Sequence, residues 1–442
     1  MSSPTANSIL SNKVPVLPSE IQSELKKIWR QAAEAEKDID FATDKKFHTR
    51  VKATLSNILA LTTIDQPSTS PEVLSQIVRA LAIKHPSRFF LLELAESGNK
   101  ITGLRTAVSS QCVLAQSGAH ICSEEVYIAT SPSREKDTTN LVLSLLSPDA
   151  QSIFLMLCDP AISSAAPSNK VGHTASEQRA TEFTLLSSEL ERLSDLIVLD
   201  SRIFSSYHSS MAQVDLMEKN FSSQGQEIEL FSSYGNSGNS RSFKQKIRDL
   251  NWIRIKRWQK LIAEQFRSKV VSNSLPQLEQ ITIECNLNKP ELELGNIPSK
   301  ALLILSWIAE SLDMTVETNN FVSDNLLHFK DSTGRLDFPV RIFPQKVEST
   351  EEQPFKLSSI EFSFGNDAPT SSLRIARQAS DSSATIEVNF KTGNSNCRRV
   401  PFPEISYEDL LLASIVCGTE LDSYRRLSLG ARAIAKMVDA NS

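Results

Sequence analysis

This 442-residue chain has few of the residues that build phosphate-binding loops. It contains only 13 glycines, and neither Gly-x-Gly-x-x-Gly nor Gly-x-x-x-x-Gly-Lys-Ser/Thr occurs. The motifs Gly-x-Ser-x-Gly and His-Glu-x-x-His, which mark many hydrolases and zinc proteases, are also missing. These absences argue against a nucleotide-dependent enzyme and against the commonest hydrolase classes.

Excess basic charge and long apolar runs are absent as well. The chain has 47 basic and 52 acidic residues, a net charge of −5, so neither nucleic acid nor an anionic membrane is expected as its main partner. Its apolar stretches are interrupted well short of the roughly 20 residues that span a bilayer, and the N-terminus does not resemble a signal peptide. We therefore expect a cytoplasmic protein. One basic cluster could bind phosphate or RNA, although a solvated helix face is the simpler interpretation: Lys244, Lys246, Arg248, Lys256, Arg257 and Lys260.

Cysteine is scarce and is never arranged as Cys-x-x-Cys. The six cysteines are Cys112, Cys122, Cys158, Cys285, Cys397 and Cys417. In a large chain without a secretory signal, reduced thiols are expected. Cys112, His120 and Cys122 come nearest to a metal cluster, but their spacing is loose and a fourth ligand is missing. We therefore predict no bound metal and no cofactor.

The order of the patterns predicts two domains. Residues 1–203, of which 1–18 look flexible, are predicted to form an α/β domain with a mixed sheet. Residues 204–242 are rich in Ser, Gly, Asn and Gln and are interpreted as a linker or mobile loop. Residues 243–442 are predicted to form an α+β domain, with a mainly antiparallel sheet covered by helices.

Within the first domain, helices are predicted near residues 18–35, 47–61 and 71–85. Buried strands are predicted at residues 88–94, 151–158 and 194–200, with an antiparallel pair at 104–115 and 121–129. Asp159 and Asp200 follow strands and could act as catalytic carboxylates, but such residues more often cap the next turn or helix.

The second domain begins with an amphipathic helix that carries two of the four tryptophans. On a 3.6-residue period, an apolar stripe forms from Trp252, Ile255, Trp258, Ile262, Ala263 and Phe266. Arg254 lies just outside one edge of this stripe. The pattern predicts that the tryptophans anchor the domain and that Arg254 stays near the surface.

The same helix carries a family resemblance. Asp249-Leu-Asn251-Trp252-x-Arg254, followed by Trp258, is similar to the central signature of the OpcA family, the glucose-6-phosphate dehydrogenase assembly proteins. In the first domain, three further segments resemble the family: His85-Pro-Ser-Arg88 before a strand, Cys122-Ser-Glu124, and the strand end Asp200-Ser201. The chain departs from the family in having Ile153-Phe-Leu-Met156 where adjacent tryptophans are common.

The resemblance implies a bacterial, non-enzymatic protein that assembles or allosterically activates glucose-6-phosphate dehydrogenase in the oxidative pentose phosphate pathway. It implies partner-binding or signature roles for Asp249, Asn251, Trp252, Arg254, Trp258, His85, Arg88, Glu124 and Asp200. Two alternatives stay open on the residues alone. One is an α/β enzyme acting on a sugar phosphate, and the other is a scaffold for a different metabolic enzyme.

Overall fold

The chain folds into two compact units. The computed structural model describes residues 9–10, 13–40, 50–52, 55–63, 71–94, 103–114, 120–157, 186, 189–201, 246–287, 299–317, 326–331, 336–346, 356–377, 382–416, 430–431 and 434. The first unit comprises residues 1–203, 215–248 and 407–417, and the second comprises 204–214, 249–406 and 418–442. The predicted linker at 204–242 lies outside the described residues. So does most of the segment 421–437, for which the sequence predicts a last helix.

The first unit is built on a ten-stranded sheet. Its strands are β1 (Ile9–Leu10), β2 (Val14–Val16), β3 (Arg50–Lys52), β4 (Ser56–Thr63), β5 (Arg88–Leu94), β6 (Arg105–Leu114), β7 (His120–Thr130), β8 (Gln151–Met156), β9 (Leu196–Leu199) and β10 (Lys246–Asp249). The main order is β1-β6-β7-β5-β4-β8-β9-β10. Strands β7, β5, β4, β8 and β9 are parallel neighbours, whereas β6 is antiparallel to β7. The sheet is therefore mixed, as predicted.

The helices of this unit with given bounds are α1 (Ile21–Asp40), α2 (Pro71–Lys84), α3 (Glu135–Leu145) and, from the far end of the chain, residues 407–416; the described residues 189–192 are also helical. Within the segment 1–18, which was expected to be flexible, β1 and β2 both pair with β6. The short 3₁₀ turn Pro18–Glu20 then leads directly into α1.

The predicted helix at 47–61 is wrong. The structure instead places the central strand β4 there, between β5 and β8. Ile58, Leu59, Ala60 and Leu61 are all buried, because helices and neighbouring strands enclose both faces of the sheet at its centre. A strand buried on both faces shows no polar–apolar alternation, so the usual strand pattern is missing. The apolar residues of this strand also fit a helical spacing.

The expectation of reduced thiols is also wrong for one pair in this unit. Cys112 of β6 lies directly opposite Cys122 of β7 in the antiparallel register, with the two Cα atoms 4.0 Å apart. The structure joins them in a disulfide. The physical reason is the register, because opposed antiparallel residues bring their Cβ atoms within reach of a bridge. Cys285 and Cys397 are free, and Cys285 is buried.

The second unit contains an eight-stranded sheet. Its strands are β11 (Leu278–Leu287), β12 (Met314–Glu317), β13 (Leu326–Asp331), β14 (Asp337–Lys346), β15 (Lys356–Phe364), β16 (Thr370–Arg377), β17 (Ser383–Phe390) and β18 (Ser395–Pro401). Their order is β12-β13-β14-β11-β15-β16-β17-β18, and all neighbours are antiparallel except β11 and β14. The helices in chain order are α4 (Leu250–Phe266), α5 (Lys269–Ser272) and α6 (Ser299–Ser311), and the helix Tyr407–Val416 of the first unit is α7.

One face of this sheet packs against α4 and α6 in a single apolar core. Side chains from the strands, such as Ile283, Phe329 and Phe362, meet Trp258 and Leu303 from the helices there. The predicted α/β and α+β classes are therefore confirmed, with a mixed sheet in the first unit and a mainly antiparallel sheet in the second. None of the helices in the described part of the chain combines the length and apolarity needed to cross a membrane.

Candidate functional site

The start of α4 is fixed by two buried polar residues. Asp249 has extended backbone angles and is the N-cap, and its carboxylate accepts a hydrogen bond of 2.9 Å from the backbone N–H of Asn251. Such a cap satisfies one of the amide groups that a helix start leaves without a partner. Both side chains are almost fully buried. The sequence signature at this point therefore encodes how the helix begins.

The tryptophans of α4 lie in the core, as the apolar stripe predicted. Trp252 and Trp258 are 7% and 5% exposed, and Ile255 and Ile262 are buried beside them. Trp258 meets Phe402 edge to face, with ring centroids 5.2 Å apart, an arrangement that adds to the area buried. Ala263 is the exception, since it is exposed to solvent.

Arg254 is partly exposed, as predicted from its place outside the stripe. Its Nη1 atom donates a 2.9 Å hydrogen bond to Oδ1 of Asn251, one turn earlier in the helix. Arg257, further along α4, donates to the backbone carbonyl of Pro403. The guanidinium of Arg254 is therefore held near the helix start by a buried residue of the signature.

In the first unit, the structure brings Arg88 and Glu124 together. They are opposed residues of the parallel strands β5 and β7, and Nε and Nη2 of Arg88 each lie 2.6 Å from Oε2 of Glu124. The other carboxylate oxygen accepts a 2.7 Å hydrogen bond from Nε1 of Trp29 in α1, and Arg88 Nη1 donates to the carbonyl of Leu145 at the end of α3. This buried cluster ties two strands to two helices.

His85 belongs to a hydroxyl network at the amino-terminal ends of β4 and β5. Its Nε2 atom lies 2.9 Å from Ser56 Oγ, which is also 2.9 Å from Ser87 Oγ. Burial lowers the pKa of the His85 imidazole, so the ring is neutral at physiological pH. A Ser–His contact can serve nucleophilic catalysis, but the side chain of Ser56 is fully buried here. The network orders the strand ends.

The remaining predicted carboxylates are Asp200 and Asp159. Asp200 follows β9 and is fully buried together with Ser201, and both have partners of their own. Asp159 lies outside the described residues. Within the described part of the chain, no group of three His, Cys, Asp or Glu side chains is arranged to hold a metal ion. The sulfur atoms of Cys112 and Cys122 are bonded to each other.

Glu125, which no sequence motif singled out, is a buried carboxyl next to Glu124 that points to the other face of the sheet. Ser109, its opposed residue on β6, donates a 2.8 Å hydrogen bond to Oε2 of Glu125. Burial raises the pKa of this carboxyl, while Ser109, Lys13 and Arg79 oppose the rise. The run of two glutamates in a predicted strand was the available signal, because successive strand residues face opposite sides of a sheet and both sides of this sheet are covered at its centre.

We expect Glu125→Gln to raise the midpoint of thermal unfolding at pH 7.5. A carboxyl whose pKa is raised in the folded state contributes its full stability below the unfolded pKa of about 4.3, and that stability is lost as the pH rises through the folded pKa. Glutamine cannot ionise, so the increase in the unfolding midpoint should be present at pH 7.5 and absent near pH 4. Thermal melts at both pH values test this, with exposed Glu279→Gln as the control. A midpoint that falls at pH 7.5, or rises equally at both pH values, would contradict the prediction.

Comparison with known proteins finds a family match for one segment of the chain. Residues 245–416 match the family described as the C-terminal domain of a glucose-6-phosphate dehydrogenase subunit, of OpcA type. A protein of Nostoc punctiforme named "Putative OxPP cycle protein OpcA" is 37% identical over 67 residues, which covers 15% of this chain and 13% of that protein.

Solved oxidoreductases show a weak likeness. One from Sinorhizobium meliloti is 8% identical with a TM-score of 0.43, covering 89% of this chain and 98% of that chain. Biliverdin reductase from Synechocystis, in complex with biliverdin and NADP+, is 9% identical with a TM-score of 0.42, covering 88% and 99%. Likeness at this level supports no conclusion about activity. The family match over residues 245–416 includes the whole of α4 with its signature, so this segment is similar to the C-terminal domain of the OpcA family.

Proposed function

We propose that this protein is a non-catalytic assembly factor or allosteric activator of glucose-6-phosphate dehydrogenase. The observation that carries the proposal is the family match over residues 245–416, which contains the α4 signature. The relative from Nostoc punctiforme is named for the oxidative pentose phosphate cycle, whose entry reaction that dehydrogenase catalyses. We further propose a cytoplasmic setting and no nucleic-acid partner.

The polar clusters of the first unit support a non-enzymatic role. Arg88, Glu124 and Trp29 satisfy one another inside the fold, and Ser56 next to His85 is closed to solvent. A catalytic group needs access to a reacting atom, and these groups instead hold strands and helices together. We therefore assign them to the stability of the first unit rather than to turnover.

The proposal is tested with the dehydrogenase from the same organism. Its kcat and KM for glucose 6-phosphate and its sedimentation coefficient should change when this protein is added in stoichiometric amounts, but not when an unrelated protein is added at the same concentration. Unchanged kinetics and sedimentation at tenfold excess would refute the proposal. Turnover of a sugar phosphate by this protein alone, lost in Asp200→Asn, would favour the enzyme alternative.

Within this role we expect Arg254→Ala to weaken activation while leaving the fold intact. The guanidinium is partly exposed and suits a carboxylate on the partner, and a charge-assisted hydrogen bond contributes about 1.5–3 kcal/mol. The concentration of activator that gives half-maximal effect should then rise by about tenfold to a hundredfold. Arg267→Ala, which removes an exposed arginine just beyond the same helix, is the matched control. If Arg254→Ala melts and activates like Arg267→Ala, Arg254 has no part in binding.

A further inference from the structure

The eight-stranded sheet of the second unit has one face that the core does not use. Alternate residues of β14, β11, β15, β16, β17 and β18 point away from the apolar core and are intermediate or exposed, apart from buried Ser359 and Ser383. We call these residues the outer face: Arg341, Phe343, Thr282, Glu284, Ser359, Glu361, Arg374, Ala376, Thr385, Glu387, Cys397 and Arg399. Within the described residues, the helical side chains of the core cluster all belong to the other face.

Charges alternate across the outer face in a single row. Strand registers place Arg341, Thr282, Glu361, Arg374 and Glu387 side by side on five neighbouring strands. Among the described residues Arg374 is only partly satisfied, because its Nη2 atom lies 3.3 Å from Glu284 and its buried Nε has no hydrogen-bond partner. The row therefore offers both signs of charge to a facing surface.

The next row is mostly small and uncharged in its middle. It runs Phe343, Glu284, Ser359, Ala376, Thr385 and Arg399 over six strands. Phe343 is 45% exposed at one end, although a large apolar side chain in water is unfavourable, and Arg399 is exposed at the other end. Small central residues allow a second surface to approach closely.

These two rows complement a copy of themselves. The two-fold axis that fits best lies in the plane of the interface, runs parallel to the strands and passes between β15 and β16. This axis places Glu361 of one chain opposite Arg374 of the other. In the second row the same axis places Phe343 opposite Arg399, a pairing that suits a cation and an aromatic ring. In neither row does this axis bring like charges together. An axis through β15 would place Glu361 opposite Glu361 of the other chain, and an axis through β16 would do the same for Arg374. An axis between β11 and β15 would place Arg341 opposite Arg374.

The area is also sufficient. Six strands spaced about 4.8 Å apart, with lengths of seven or eight residues at about 3.3 Å each, make a face of roughly 700 Å². Two such faces bury roughly 1,400 Å² in total, which lies within the range of stable protein–protein interfaces. Axes nearer the edge of the sheet would cover fewer strands and bury less surface.

We propose that the outer face binds a second copy of this chain, in a symmetric dimer centred on Glu361 and Arg374. The inference rests on the second unit alone and does not depend on the proposed function. A chain that does not activate the dehydrogenase would therefore not contradict the dimer. A monomeric chain would likewise not contradict the proposed function.

Sedimentation velocity of the full chain at about 10 µM tests the proposal. We expect a dimer for the wild type and monomers for Glu361→Arg and for Arg374→Glu, with dissociation constants raised at least tenfold. The double variant Glu361→Arg/Arg374→Glu restores opposite charges across the axis and should dimerise again. The control is Lys260→Glu, which reverses the charge of an exposed side chain on α4 and should stay dimeric.

Circular dichroism establishes that each variant is folded. If a charge reversal does not fold, Ala376→Arg places bulk at the centre of the outer face without removing an ion pair, and it should also give monomers. A monomeric wild type would overturn the proposal. So would a dimer that survives both single reversals and Ala376→Arg, or a double variant that folds but stays monomeric.

Discussion

Replacing Trp258 by alanine is expected to lower the free energy of unfolding of the second unit by about 3–5 kcal/mol. The ring is 5% exposed, packs edge to face on Phe402 and lies in the core formed by α4, α6 and the sheet. Its removal leaves a cavity that the rigid strands beneath it cannot close. Because a domain has only about 5–15 kcal/mol of stability in total, the variant should unfold early or fail to accumulate.

Calorimetry on the full chain measures this loss as a lower midpoint for the transition of the second unit. Lys260→Ala, two residues further along α4 and exposed, should unfold like the wild type. Trp258→Phe keeps an aromatic ring and should lie between the two. Equal midpoints for Trp258→Ala and Lys260→Ala would show that the ring is not part of the core.

Replacing Arg88 by alanine is expected to cost the first unit about 3–5 kcal/mol. The substitution removes the guanidinium whose Nε and Nη2 both contact Oε2 of Glu124, and it leaves that carboxylate buried without its cationic partner. It also removes the guanidinium donor from the Leu145 carbonyl at the end of α3. An uncompensated buried charge is much more costly than the loss of an exposed ion pair.

The matched control is Arg134→Ala, which breaks the ion pair with Asp137. Both of those side chains are more than 50% exposed, so the loss should be about 0–1 kcal/mol. Urea unfolding followed by circular dichroism compares the two variants. Replacing the pair together, as Arg88→Met/Glu124→Leu, should recover part of the stability because no charge is then left buried. If Arg88→Ala unfolds at the same urea concentration as Arg134→Ala, the cluster does not stabilise the unit.

The local sequence pattern was sufficient to predict helices and strands that have one apolar side and one polar side. The start of α4 at Asp249, its buried stripe and the strands β11 and β13–β17 follow from capping chemistry and from apolar spacing at periods of 3.6 and 2. The edge strand β18 has no such local signature. Every described residue of β18 is exposed or only partly buried, so its sequence carries little apolar signal.

Tertiary structure alone decided the features that depend on distant parts of the chain. Strand β4 is a strand because β5 and β8 pair with it, whereas its local sequence suits a helix equally well. Arg88 and Glu124 are 36 residues apart in the sequence and meet through the parallel register of β5 and β7. The disulfide between Cys112 and Cys122 likewise follows from register, which composition and redox compartment do not encode.

The sequence by itself determined the fold classes of the two units and the buried role of the α4 tryptophans, because those depend on which residues leave water. Tertiary structure decided which strands are neighbours, and with them the buried ion pair, the disulfide and the charge pattern of the outer face. Each of these needs residues far apart in the chain to lie within a few ångströms. That proximity is set by packing of whole elements rather than by local preference.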